Sequence, residues 1–93
     1  MIAPESRLRR RDRVLTQRAA GTLVLLDLDG GQYYALDEVS SRVWDLCDGE
    51  RGVGAIVAAV GDEFDAPEET IREDVLAFLQ EMVDENLLVV QEA

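Results

Sequence analysis

Histidine and lysine are both missing from this chain of 93 residues, and cysteine occurs once, at Cys47. A single thiol without histidine cannot assemble a zinc or haem ligand set, so no metal site and no cofactor are expected. A nucleophile at Cys47 or Ser40 would find no histidine or lysine to act as its base. One cysteine also rules out an internal disulfide, and with it a disulfide-built secreted scaffold. No apolar run approaches the roughly 20 residues that span a bilayer. The arginine-rich beginning lacks the apolar stretch of a secretory signal. The glycine pairs stand in no phosphate-binding context, and the paired acids Glu68–Glu69 and Glu73–Asp74 point in different directions on a helix. These absences predict a cytoplasmic domain that is not an enzyme.

What is present suffices for one domain with one core: 47% of the residues are hydrophobic. The stability margin of so small a domain is modest. All nine basic residues are arginine, and their placement is uneven. Residues 1–21 hold six arginines against Glu5 and Asp12, a net +4; residues 22–93 hold three against 18 acids, a net −15. A body so acidic repels phosphate backbones, which excludes general nucleic-acid binding, and it attracts a basic peptide or a basic protein face. Acidic surface also serves solubility.

Residues 1–12, polar and charged with Pro4, read as a flexible arginine-rich tail. Arg13–Gln17 is a first strand, Ala19-Ala20-Gly21 a turn, and Thr22–Leu28 a second strand. The unbroken run Leu23-Val24-Leu25-Leu26 suggests burial on both faces or a central place in a sheet. Asp29-Gly30-Gly31 signals a hairpin into a third strand, Gln32–Leu36. Asp37 then caps a helix carrying Val39, Val43, Trp44, Leu46 and Cys47, which Gly49 ends. A second helix covers about Val53–Phe64. Asp65-Ala66-Pro67 breaks the chain, and the longest helix runs over about Pro67–Glu85 with Ile71, Val75, Phe78, Leu79 and Met82 as its main stripe. Leu87–Val90, too short for a helix, forms a terminal strand or an extended cap.

The fold class expected is therefore α+β: an N-terminal three-stranded antiparallel sheet followed by a three-helix, winged-helix-like unit. Two successive hairpins place Thr22–Leu28 in the middle and leave Gln32–Leu36 at an edge without proline, lysine or charge. Such an edge invites an added strand, unless the chain's own last residues cover it. A winged-helix DNA reader would need basic or amide side chains on its recognition helix. The third helix offers chiefly Glu68, Glu69, Glu73, Asp74, Glu81, Asp84 and Glu85.

The strand-to-helix segment "GGQYYALDEVSSRVWDLCDG" and the following "VGAIVAAVGDEFDAPEETIREDVLAFLQEMVDENLLVV" resemble the PqqD family. These are small peptide-recognition modules of ribosomally made, post-translationally modified peptide pathways. The resemblance covers residues 13 to 90 and makes residues 13–93 a PqqD-like peptide-binding domain. It implies a non-catalytic module that binds the leader of a precursor peptide as a strand beside Gln32, Tyr33, Tyr34, Ala35 and Leu36. Arg72, Val75, Leu76 and Leu79 lie on the matching helix. The partners it implies are the precursor peptide and a modifying enzyme: a radical-SAM maturase, a lasso-peptide leader peptidase or another tailoring enzyme. The alternative reading is a degenerate winged-helix regulator acting through DNA or a protein surface.

Overall fold

The structure, a computed structural model, describes residues 2–91. Six strands and three helices follow in the order β1 (Arg7–Arg10), β2 (Val14–Ala19), β3 (Thr22–Asp27), β4 (Tyr33–Leu36), α1 (Glu38–Leu46), β5 (Asp48–Gly52), α2 (Val53–Glu63), α3 (Glu68–Asp84) and β6 (Leu88–Gln91). They form an α+β fold with two three-stranded antiparallel sheets, ordered β2-β3-β4 and β5-β1-β6.

The first sheet is the one the hairpin signals predict. Its tight turns use positive φ at Ala20 (51°) and Gly21 (81°), and at Gly31 (71°). Two successive residues with positive φ suit the twist of a two-residue hairpin loop. Of the two readings of its apolar run, β3 takes the second: it is the middle strand, and it is not buried on both faces. Leu23 and Leu25 are buried, whereas Val24 is half-buried and Leu26 is exposed. The helices cover one face of this sheet, so the apolar run still alternates between core and solvent.

The second sheet corrects the expectation of a tail over residues 1–12. Arg7–Arg10 is the middle strand, paired with Gly52 and Asp48 on one side and with Gln91 through Leu88 on the other. Leu8 is completely buried, and the Arg10 guanidinium donates to the Trp44 and Asp45 carbonyls at the end of α1, where the helix dipole favours a cation. One leucine among arginines has no period to detect; pairing on both sides holds this strand. Upstream, the Pro4 and Ser6 carbonyls accept from the Gly54 and Val53 amides and satisfy the start of α2, which has no side-chain cap. The expected tail and domain also took in Met1 and residues 92–93, which lie outside the described residues.

Asp37 caps α1 as its position requires, its Oδ1 accepting from the Ser40 amide at 2.8 Å. Gly49, however, does not end that helix. α1 stops at Leu46, and Gly49 sits in β5 with φ 83°. The closing strand β6 pairs with β1, so it leaves β4 alone. Between the layers lies one core, with Trp44, Val43, Ile56, Val60, Val75, Leu79, Leu87 and Leu88 at its centre.

Candidate functional site: an open strand edge beside a helical groove

β4 pairs with β3 on one side, and no strand among the described residues pairs with the other. The register is Leu23↔Leu36, Val24↔Ala35, Leu25↔Tyr34 and Leu26↔Tyr33, and the Asp27 amide donates to the Gln32 carbonyl at 2.8 Å. Antiparallel pairs alternate between bonded and unbonded types. Counting from the Asp27–Gln32 bond, Tyr34 and Leu36 spend their main-chain groups on β3. The N–H and C=O of Tyr33 and Ala35 turn outward, so this edge offers a two-residue ladder.

The side chains divide the other way. Leu36 is buried and Tyr34 half-buried on the helix side, while Tyr33 is 75% exposed on the opposite face. The Tyr34 hydroxyl donates within 2.8 Å of Gln32 Oε1 and lies 3.1 Å from Glu85 Oε2, bridging β4 to the end of α3. Desolvation and then the Glu85 carboxylate raise the Tyr34 pKa above its ordinary value. The Ser41 hydroxyl donates to the Leu36 carbonyl and ties β4 to the first turns of α1.

Where β4 runs into α1, a groove of about 370 Å³ opens between α1 and α3. Val39, Val43, Val75 and Phe78 supply its apolar surface; Asp37, Asp74 and Glu81 supply carboxylates. Of the four α3 residues expected at the site, Val75 alone lines this groove. Leu79 is fully enclosed in the core, Leu76 is half-buried against it, and Arg72 is exposed and ion-paired with Glu68 at 3.0 Å. The α3 wall is therefore Asp74, Val75, Ala77, Phe78 and Glu81. These residues repeat at helical spacing along one flank of the core stripe, a signal visible in the sequence. Which flank faces β4 is set by how α3 crosses α1.

No group of histidine, cysteine and carboxylate side chains among the described residues is arranged to hold a metal. Cys47 is buried, and burial pushes its thiol up to about 12. It behaves as a small apolar side chain. Among the described residues, no helix is long and apolar enough to cross a membrane.

This chain belongs to the PqqD family: the model of "Coenzyme PQQ synthesis protein D (PqqD)" matches residues 22–88, from β3 into β6. Its curated relatives include the PqqA binding protein of Gluconobacter oxydans (strain 621H), 38% identical over 55 residues, 59% of this chain and 57% of that protein. The PqqA binding protein of Bradyrhizobium diazoefficiens is 41% identical over 54 residues, 58% of this chain and 52% of that one. The chain thus spans about half the length of the curated relatives it matches. Among solved structures, TbiB1 in complex with the TbiA(beta) leader peptide is similar with a TM-score of 0.80 and 29% identity, covering 91% of this chain and 99% of that one. A lasso peptide synthetase B1 complexed with the leader peptide shares the fold, with a TM-score of 0.78 at 15% identity over 88% of this chain and 96% of that one.

Proposed function

We propose that this protein is a non-catalytic module that captures the leader segment of a ribosomally made precursor peptide and presents it to a modifying enzyme. The leader adds as a strand to β4, bonding to the main chain of Tyr33 and Ala35, and continues into the groove between α1 and α3. Backbone bonds supply affinity and the groove selects side chains. The observation that carries this reading is the unpaired edge of β4 next to an apolar groove. It is supported by the likeness to TbiB1, a protein solved with a leader peptide, and by relatives named for binding PqqA.

In this reading the three helices form a winged-helix-like unit that follows the β2-β3-β4 sheet, and β1 and β2 belong to the same peptide-binding domain. The protein works in the cytoplasm, without a cofactor. Its enzyme partner is a radical-SAM maturase, a leader peptidase or another tailoring enzyme. A DNA-reading alternative finds no support on α3, whose exposed positions are largely acidic.

The test is titration of the labelled full chain with its precursor peptide, followed by amide shifts. Shifts should centre on residues 32–36 and on 74–81 of α3; shifts confined to residues 2–12 would reject the site. Because the groove and the body are acidic, affinity for a basic leader should fall as salt rises. Salt-independent binding would assign recognition to backbone and apolar contacts alone.

A further inference from the structure

The helices cover one face of the β2-β3-β4 sheet; the other face is unusual in what it exposes. Leu15 and Leu26 stand opposite each other, and Leu26 stands opposite Tyr33, so the three make one cross-strand row. Their exposures are 55%, 37% and 75%, and Leu28 beside them is 41% exposed. β2 carries Leu15 outward while the polar Thr16 and Arg18 sit on the helix-side parity, with Arg18 paired to Asp45 of α1. Val14, on that same parity, packs against the core, so Leu15 is the large apolar side chain this strand leaves in solvent. A contiguous exposed apolar row rimmed by polar residues marks an interaction surface.

Two further features define its occupant. The first is size. The free row offers a few hundred square ångströms, whereas a stable interface takes about 800 Å² from each partner; a second copy laid face to face would therefore be undersized. A peptide strand added to β4 would place its outward side chains next to Tyr33 and lengthen the row. The second is charge. At the hairpin end, Arg9, Arg11 and Arg13 line an open cleft of about 400 Å³ together with Asp12, Asp29 and Val89. Arg13 is held by Asp29 at 2.7 Å, while Arg9 and Arg11 make no ion pair among the described residues. This end offers guanidinium groups from a chain of net charge −11.

We infer that the outer face of this sheet, completed by the captured peptide, is the docking surface for a second protein whose own apolar patch is bordered by carboxylates. The inference rests on strand addition at β4 and adds to it that the partner reads the loaded state. Docking then follows capture, because the free chain presents too little surface.

The experiment uses the full chain, its precursor peptide and the enzyme that modifies that peptide, with each affinity measured by interferometry. The double variant Leu15→Ser/Leu26→Ser should fold, by circular dichroism, and bind peptide within about twofold of wild type. Its peptide-loaded form should bind the enzyme about tenfold or more weakly. Docking is overturned if the loaded variant binds enzyme as tightly as wild type, or if wild type binds enzyme equally with and without peptide. It is also overturned if sedimentation equilibrium shows a wild-type dimer that the double variant dissolves, which would make the occupant a second copy. Ala35→Pro separates the two levels. Retained peptide affinity in that variant removes strand addition, and with it docking, whereas failure in the enzyme arm alone leaves strand addition intact.

Discussion

β4 and β5 are both edge strands of three-stranded sheets, and they treat their exposed sides in opposite ways. β5 reads Asp48-Gly49-Glu50-Arg51-Gly52, with Arg51 paired to Asp48 at 2.8 Å. Amides of Glu50 and Arg51 donate to the Asp48 carboxylate and hold its pKa below the ordinary value. Charges of this kind blunt an edge against further pairing. β4 reads Tyr33-Tyr34-Ala35-Leu36 and carries none. Two edges of similar length in one small domain thus differ in their chemistry. The uncharged one is also the one with an apolar groove at its end, which is why recognition is assigned there.

The comparison breaks most severely if the second sheet is not integral to the fold. Leu8→Ala should cost about 2–5 kcal/mol, because it empties a fully enclosed site at the middle strand. Urea unfolding would measure it, and an unchanged midpoint would return residues 7–10 to a tail.

Proline scanning sharpens the contrast between edges. Ala35→Pro removes an outward amide from β4 and should weaken peptide binding about 100-fold. Thr16 occupies the equivalent outward position on β2, since the Leu28 amide bonds to the Arg13 carbonyl and pairs alternate from there. Thr16→Pro should leave peptide affinity within about twofold. Equal losses in two folded variants would disprove a specific role for β4.

Within the groove, Phe78→Ala should lower peptide affinity about tenfold by removing apolar contact surface. Arg72→Ala, on a residue outside the groove, should change it little. Calorimetry on the pair decides whether the α3 wall is the one assigned here.

The smallest effect concerns pH. The folded state keeps the Cys47 thiol protonated to about pH 12, while the unfolded chain ionises near an ordinary 9.0. The raised folded pKa contributes stability that is fully present below pH 9 and is lost as pH climbs from 9 toward 12. At pH 10 the loss should be about 1 kcal/mol relative to pH 8, and Cys47→Ala should reduce it. Tyr34, also raised, adds to the decline above pH 10 and would remain in that variant.

Much of the first sheet and all three helices could be read from local chemistry. Gly31 accepts the positive φ of the β3–β4 turn, Asp37 supplies the cap, and the α3 bounds follow Pro67 and the acids after it. The second sheet was illegible for a physical reason. β1 is arginine-rich and β5 is Asp-Gly-Glu-Arg-Gly, so neither shows an apolar alternation. Both are held by main-chain pairing between segments some 40 residues apart, which no local pattern encodes.

The site divides along the same line. An uncharged strand leading straight into a capped helix is written in residues 32–37, and hairpin order alone puts that strand at an edge. Whether the edge stays open depended on where β6 went, and β6 went to β1. Likewise, helical spacing marks Phe78 and Glu81 as one flank of α3, but only its crossing against α1 turns that flank toward the groove. Turns, caps and apolar periods act between neighbours in sequence; the free edge and the groove wall depend on distant partners, and packing alone chooses those.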